Sequence, residues 1–375
     1  MPASPVFEQS LAFFLKPIED LLADGGVSEV MVNGHDRIYV ERGGKLQLTP
    51  NQFPSEEELL SCARNIAQFS GKRINEAESR FDGRLADGSR VHVVLPPCAR
   101  NGITIAIRKF STTALTLEKL VQFGSVSPEA RQLLELCIAL DKNILVAGGT
   151  GSGKTQLLNA LSGAIPGHDR ILVIEDTSEL RLQQEHVVML EARAPDRHGH
   201  GAVTIRDLLH SALRLRPDRI IVGECRGGEA LDMIQAMNSG HAGSMTTVHA
   251  NSPRDSLARI ETLALMSKVE LPLVALRAQV ASAIQVVVQT DRLADGSRKV
   301  TFVSEVLPLD LQGRYEVQHL AAFEHTGRDT SGKILGGHRL QGARPRFWEE
   351  AVAKGVSGAY PALLAAWGKA APLSS

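Results

Sequence analysis

The residues best suited to chemistry form a glycine-rich run in the middle of the chain. A phosphate loop has the pattern G-x-x-x-x-G-K-S/T, and the chain meets it with Gly148, Gly149, Thr150, Gly151, Ser152, Gly153, Lys154 and Thr155, followed by Gln156. In such a loop the glycines let backbone N–H groups turn toward phosphate oxygens. Lys154 would neutralise the β- and γ-phosphates, and the Thr155 hydroxyl would bind Mg²⁺. The sequence therefore predicts that the chain binds ATP or ADP together with Mg²⁺.

The segments around this loop are those that a phosphate loop needs. Ile144–Ala147 is a short apolar run typical of a buried strand, and the residues after Thr155 are typical of a helix. From Ser127 onward strands alternate with helices, which predicts a mainly parallel sheet. The other strands predicted there are Arg170–Ile174, Val187–Leu190, Arg219–Val222 and Ser244–Val248. Two alternating apolar runs around Asp295-Gly296 predict an antiparallel hairpin that closes the core.

Acidic residues and histidines lie next to three of these strands. Glu175 and Glu179 follow the strand after the loop, and Glu224 follows Arg219–Val222. The carboxyl ends of parallel strands meet at one edge of a sheet, where carboxylates can hold Mg²⁺ and polarise water. His241 and His249 flank a further strand and could contact the γ-phosphate as neutral donors. For each residue taken alone, a solvated strand end or a structural histidine is the alternative.

The sequence predicts an α/β fold in two domains. Residues 1–110 alternate short strands with two helical stretches and form a small α+β domain. A linker at 111–126 leads to the nucleotide-binding domain at 127–325. The tail at 326–375 is expected to pack on that domain or to extend it. The length of 375 residues is enough for about two domains of ordinary size.

Composition argues against several other classes of protein. The net charge is −1, with 3 Tyr and 2 Trp, so a protein that coats nucleic acid or stacks single-stranded bases is not expected. The 4 cysteines form no C-x-x-C pair, which favours reduced thiols over disulfides or a zinc site. No secretion signal and no apolar run of about 18 residues is present, so any membrane association is expected to be peripheral.

Longer blocks of sequence resemble a known family. They are Phe81–Arg90, Ile107–Phe110, Arg216–Glu224, Arg226–Ala230, Gly240–Pro253 and Gly342–Phe347. With the phosphate loop, they make the chain similar to the type II/type IV secretion ATPase superfamily from about Leu22 to Gly355. Within that superfamily the chain most resembles the tight-adherence (Tad/Flp) pilus assembly ATPases of the CpaF/TadA branch. The resemblance implies a PAS-like N-terminal domain followed by a RecA-like phosphate-loop ATPase domain.

The resemblance also implies roles for the acids and histidines. Glu179 matches the last glutamate of the family's acidic box, which orients the attacking water, and is therefore preferred to Glu175. Glu224 matches a glutamate that supports Mg²⁺ and catalysis. His241 and His249 fall in the family's histidine box, and His249 is the closer match.

Several arginines acquire roles in the same way. Arg90 and Arg108 match N-terminal arginines that in relatives reach the β- and γ-phosphates, although an ordinary surface position is the alternative for both. Arg193, Arg214 and Arg226 are weaker candidates for an arginine supplied to a neighbouring subunit. His198 and His200 favour a Gly-rich loop over a metal site, since two ligands alone do not make one.

The implied protein is a hexameric, Mg²⁺-dependent ATPase motor in the cytoplasm. It would associate peripherally with the inner membrane through platform proteins and power assembly of a tight-adherence or type IV-like pilus, with retraction left open. One alternative is a type IV secretion or conjugation ATPase. A second is a DNA-dependent, helicase-type ATPase, which the near-neutral charge disfavours, and no direct nucleic-acid partner is expected. A third is a nucleotide-binding scaffold that does not hydrolyse ATP.

Overall fold

The computed structural model of the protein describes residues 5–109, 115–195, 199–330, 332–342 and 344–368. The chain divides into two compact units, Met1–Thr113 and Ala114–Ser375. The first is a small α+β unit and the second is built on a larger, mainly parallel sheet, so the predicted α/β fold class is confirmed. None of the described helices is both long and apolar enough to cross a membrane.

The first unit is an antiparallel sheet with helices on one face. Its strands are β1 (Val27–Asn33), β2 (Ile38–Arg42), β3 (Lys45–Leu48), β4 (Arg80–Arg84), β5 (Arg90–Val94) and β6 (Thr104–Arg108), in the spatial order β3-β2-β1-β6-β5-β4. Its helices are α1 (Pro5–Leu15), α2 (Glu19–Ala23) and α3 (Glu56–Phe69). Helix α3 begins after Ser55, whose side chain accepts a hydrogen bond from the Glu58 amide. Alternate residues of the strands point to one face, where they form a core with α3.

The second unit contains the phosphate-loop segment. Its strands are β7 (Ile144–Gly148), β8 (Ile171–Glu175), β9 (Val187–Glu191), β10 (Arg219–Val222), β11 (Met245–His249), β12 (Val286–Arg292), β13 (Arg298–Leu307), β14 (Glu316–Arg328) and β15 (Ile334–Leu340). They lie in the order β15-β14-β13-β12-β7-β11-β10-β8-β9. Pairing is parallel from β12 to β9 and antiparallel from β12 to β15. Every residue of β7, β8 and β10 is buried, as expected for parallel strands covered on both faces.

Helices cover the two faces of this sheet. They are α4 (Leu117–Gln122), α5 (Pro128–Ala139), α6 (Lys154–Ser162), α7 (Ile205–Ala212), α8 (Glu229–Asn238), α9 (Pro253–Leu265), α10 (Leu273–Ala283), α11 (Trp348–Ala353) and α12 (Pro361–Trp367). Helices α5 and α6 share a core with Val146 and Val288, whereas α8, α9 and α10 share one with Leu145 and Val287. Alternate residues of one strand therefore contribute to two separate cores, one on each face of the sheet. The ends of the strands are where the site residues lie.

The described part of the predicted linker and that of the C-terminal tail both belong to the second unit. The predicted linker contains α4, whose Leu117 and Leu120 are buried in the core of this unit, and its residues 111–114 lie outside the described part of the chain. In the C-terminal tail β15 pairs with β14 and extends the sheet. Trp348 and Trp367 are fully buried with their rings edge to face, 5.7 Å apart, in the core shared with α5.

Candidate nucleotide-binding site

The phosphate loop runs from the end of β7 into the first turn of α6. Gly151 and Gly153 have φ angles of 70° and 99°, a left-handed backbone that glycine adopts without strain. Gly148 is required for a different reason. A Cβ atom there would lie 2.3 Å from the Thr290 carbonyl oxygen and 2.5 Å from the Ser152 hydroxyl, so only glycine lets β12 approach the loop this closely.

The loop lysine is connected to the acidic residue of a different strand. Lys154 is 7% exposed, and its Nζ donates to the Gly149 carbonyl at 3.0 Å and to Nδ1 of His249 at 3.2 Å. On the other side of the ring, Nε2 of His249 lies 3.1 Å from Oε1 of Glu224. Strand β11 lies between β7 and β10, so His249 at its end spans the gap between the other two residues. Lys154, His249 and Glu224 are therefore brought together at the carboxyl edge of the sheet.

These contacts define the protonation state of His249. An ammonium group has no acceptor, so Nδ1 must accept from Lys154, and the proton of the neutral ring sits on Nε2, the atom that lies 3.1 Å from the Glu224 carboxylate. Burial and then the neighbouring Lys154 ammonium lower the pKa of His249, against the opposing effect of Glu224. The imidazole is therefore neutral at neutral pH.

The acidic segment after β8 is held in place by its first member. Glu175 is buried, and its Oε1 accepts hydrogen bonds from the amides of Glu179 and Leu180 at 2.9 and 3.0 Å. Burial raises the pKa of Glu175. The Arg181 amide donates to Oδ1 of Asn159 on α6 at 2.8 Å. The loop that carries Glu179 is thus attached to both the sheet and the helix of the phosphate loop.

Arg226 contacts acidic residues of its own chain. Its Nη2 lies 2.9 Å from Oε2 of Glu224, and its Nη1 lies 3.3 Å from Oδ2 of Asp176. The hydrogen bond to Glu224 raises the pKa of Arg226. The arginine therefore links the ends of β10 and β8, and Glu224 is held from one side by His249 and from the other by Arg226.

Other residues predicted for the site lie elsewhere. His241 precedes β11, and its carbonyl accepts from the Ser244 hydroxyl at 2.7 Å. His249 ends the same strand, so the two histidines lie at opposite ends of β11 and only His249 reaches Lys154. An extended strand of five residues separates its two ends, which is why flanking positions in the sequence are not neighbours in space.

The four predicted arginines other than Arg226 occupy three places. Arg90 and Arg108 belong to the first unit and lie directly opposite each other in β5 and β6. Arg193 donates to the Gly201 carbonyl in the loop after β9, and Arg214 donates to the His210 carbonyl at the end of α7. His198 lies outside the described residues. In the described part of the chain no group of three or more His, Cys, Asp or Glu side chains could hold a metal ion.

The structure adds two residues to the site that the sequence did not indicate. The Thr290 hydroxyl donates to the Ser152 carbonyl at 3.0 Å, and Nε of Arg298 donates to the Gly151 carbonyl at 2.8 Å. Both come from the hairpin formed by β12 and β13, more than a hundred residues after the loop. The hairpin itself was predicted, but no local signal indicates that β12 pairs in parallel with β7.

The residues at this edge fit a nucleotide with Mg²⁺. The loop has the glycine conformations that phosphate binding needs, and the Ser152 hydroxyl is buried without a hydrogen-bond partner among the described residues. Thr155, in the first turn of α6, and Glu224 supply the hydroxyl and carboxylate oxygens that Mg²⁺ prefers. Because Mg²⁺ keeps phosphate and water ligands, one carboxylate and one hydroxyl suffice.

The fold and the site together define a phosphate-loop protein with a mainly parallel sheet. The chain belongs to the type II/IV secretion system protein family, whose model matches residues 14–330. This is a family of type II/IV secretion system ATPases.

Relatives of known name come from several bacteria. A Mycobacterium tuberculosis protein named as a conjugal transfer protein is 36% identical over 293 residues, covering 76% of this chain and 83% of the relative. The type IV secretion system protein VirB11 of Bartonella henselae is 34% identical over 328 residues, covering 76% and 90%. The type IV secretion system protein PtlH homolog of Bordetella bronchiseptica is 35% identical over 324 residues, covering 79% and 95%.

Solved structures share the fold at lower identity. The pilus retraction motor PilT with bound ADP has a TM-score of 0.53 and 19% identity, covering 95% of this chain and 89% of that structure. The ATPase DotB of Yersinia pseudotuberculosis has a TM-score of 0.55 and 17% identity, covering 94% and 83%. This likeness concerns the fold alone, which is the RecA-like fold predicted for the second domain.

Proposed function

We propose that the protein is a Mg²⁺-dependent ATPase that acts as a motor of a pilus or secretion machine. The observation that carries the proposal is the connection from Lys154 through His249 to Glu224, with distances of 3.2 and 3.1 Å, at the mouth of a phosphate loop. A lysine with only a structural role would need neither the glycine-rich loop before it nor the Glu224 carboxylate on the other side of His249. Phosphoryl transfer needs this combination of positioned charges.

The residues of the second unit can then be assigned roles. The loop amides and Lys154 bind the β- and γ-phosphates, and Lys154 exchanges His249 for a phosphate oxygen. Thr155 and Glu224 hold Mg²⁺, which when bound offsets the charge on the phosphate oxygens. Glu179 orients the attacking water, and neutral His249 holds Glu224 through its Nε2 proton.

The arginines of the first unit keep the role that the family resemblance implies. Arg84, Arg90 and Arg108 lie side by side at matched positions of β4, β5 and β6, and Glu29 of β1 continues the same row beside Arg108. We propose that Arg90 and Arg108 contact the β- and γ-phosphates of a bound nucleotide. His241 retains a predicted role in catalysis, but its place at the far end of β11 gives that role no support within one chain.

The proposed load is a tight-adherence or type IV-like pilus. The sequence blocks that resemble the CpaF/TadA branch support this choice. The protein would work as a hexamer on the cytoplasmic face of the inner membrane and act on platform proteins there. The second candidate is a type IV secretion or conjugation ATPase, and it is supported by the names of the relatives that align over most of the chain.

Hydrolysis is tested with the purified full chain. Steady-state phosphate release is expected with MgATP and is expected to disappear when EDTA removes Mg²⁺. Lys154→Ala and Glu224→Ala should each abolish turnover. Lys354→Ala is the matched control, since this half-exposed lysine follows α11 and pairs with Glu350 of that helix. Turnover that survives both active-site changes would refute the assignment.

The load is tested in the cell that carries the gene. Replacing the chromosomal copy by the Lys154→Ala form should remove surface pili if the first candidate is right. Loss of plasmid transfer or of protein secretion with pili intact would favour the second candidate. Strong stimulation of the purified ATPase by DNA, with a steep salt dependence, would instead indicate a helicase-type enzyme.

A further inference from the structure

The hairpin of β12 and β13 holds the phosphate loop from outside. Strand β12 pairs in parallel with β7, with Thr290 directly beside Gly148. At this point the missing side chain of Gly148 lets the two strands approach, because a Cβ atom would lie 2.3 Å from the Thr290 carbonyl oxygen. The close approach is what places the Thr290 side chain against the loop.

Two successive peptide groups of the loop are held by this hairpin through their carbonyl oxygens. Thr290, which is buried, donates to the Ser152 carbonyl at 3.0 Å, and Arg298 donates to the Gly151 carbonyl at 2.8 Å. In a trans peptide the C=O and the following N–H point in opposite directions. The amides of Gly153 and Ser152 are therefore turned away from Thr290 and Arg298, and the Ser152 amide makes only a long contact of 3.4 Å, to the Gly149 carbonyl inside the loop.

We propose that Thr290 and Arg298 are positioning residues that preset the phosphate loop for a polyphosphate. By holding two carbonyl groups outward, they direct the following N–H groups toward the side where phosphate oxygens bind, so that little of this orientation has to be created on binding. The inference rests on the proposed nucleotide site and adds to it a second element, the β12–β13 hairpin, that neither touches the phosphates nor belongs to the loop motif.

Presetting of the loop should affect the binding of the phosphate groups and not that of the nucleoside. The preset loop contacts only the phosphate groups of a ligand. Loss of the presetting should therefore weaken the binding of pyrophosphate and the binding of ADP by the same factor. A general loss of folding stability would leave both Kd values unchanged at a temperature where every variant is folded, because the binding-competent fraction is then the same in each variant.

The test is calorimetric titration of the full chain with pyrophosphate and with ADP, both with Mg²⁺. Thr290→Val removes only the hydroxyl, and we expect Kd for both ligands to rise about fivefold, the loss typical of one hydrogen bond. Thr290→Ser keeps the hydroxyl and should restore Kd to within about twofold of the unmodified protein. Arg298→Gln should raise both values about threefold, because its hydrogen bond is exposed.

Arg314→Gln is the matched control. It removes the same charge from the turn between β13 and β14, where Arg314 pairs with Asp310, and should leave both Kd values unchanged. Folding of each variant is checked by circular dichroism and melting temperature. Unchanged affinities in folded Thr290→Val and Arg298→Gln would overturn the inference while leaving the proposed function intact. Failure of the unmodified protein to bind either ligand would overturn both.

Discussion

Changing Glu175 and Glu179 one at a time separates a structural carboxylate from one that acts on water. The two residues lie four positions apart, and each follows a strand end suited to catalysis. Glu175 is 3% exposed, and its Oε1 accepts two backbone amides, one of them from Glu179 itself. These contacts give Glu175 a structural role in holding the loop, and Glu179 stays the residue that we propose acts on water.

The expected magnitudes follow from these contacts. Glu175→Ala leaves one buried and one partly buried amide without their acceptor, at about 1–3 kcal/mol for each donor, so the free energy of unfolding should fall by about 2–6 kcal/mol. Its kcat should fall as well, because the loop that carries Glu179 is released. Glu175→Gln keeps Oε1 and should change the free energy of unfolding by less than about 1 kcal/mol and kcat by less than about threefold. Glu179→Gln should lower kcat at least about 100-fold, with stability unchanged.

Urea unfolding followed by circular dichroism gives the free energies, and steady-state phosphate release gives kcat. The three variants should behave differently. Glu175→Ala should be less stable and slower, Glu175→Gln should be stable and active, and Glu179→Gln should be stable and inactive. If Glu175→Gln loses turnover as completely as Glu179→Gln, the water is oriented by Glu175 and the reasoning fails. A Glu175→Ala protein as stable as the unmodified one would show that the two amides do not depend on this carboxylate.

Two further predictions concern stability. Burial raises the pKa of Glu175, so ionising it favours the unfolded state, and the stability that its protonated form contributes at low pH is lost as pH rises through the folded-state pKa. The free energy of unfolding of Glu175→Gln should therefore increase relative to that of the unmodified protein as pH rises from the acid range toward neutrality, as urea unfolding at a series of pH values can show. Arg219 is 3% exposed and contacts Asp141 and Asp169 at 2.6 Å each, so Arg219→Ala should lower the free energy of unfolding by about 3–5 kcal/mol. Arg219 begins β10, at the opposite end from Glu224, so kcat measured where the variant is folded should not change.

Much of the site could be predicted because its signals are local. The phosphate loop is a contiguous pattern between a strand and a helix, and the structure has β7 and α6 on either side of it. In the sequence, an apolar run followed by an acidic residue indicates the strand ends at Glu175 and Glu224. Helix starts followed from cap residues, and at α7 the capping box of Thr204 and Asp207 has both of its hydrogen bonds.

The order of the strands in the sheet could not be predicted from local sequence patterns. A run of apolar residues indicates that a strand is buried. Which strands pair with it depends on packing between segments that are distant in the sequence. The placement of β11 between β7 and β10 makes His249 the link from Lys154 to Glu224 and leaves His241 at the far edge. The same reason explains why Thr290 and Arg298 could not be found in advance, since they reach the loop only because β12 pairs with β7.

A contiguous stretch of sequence thus determined which chemistry the site is suited to, because a phosphate loop needs only its own backbone and the first turn of a helix. The partners of its lysine and its carbonyl groups were set by the sheet, because hydrogen bonds between strands far apart in the chain depend on register and order. These are properties of the folded chain as a whole, and no stretch of sequence contains them by itself.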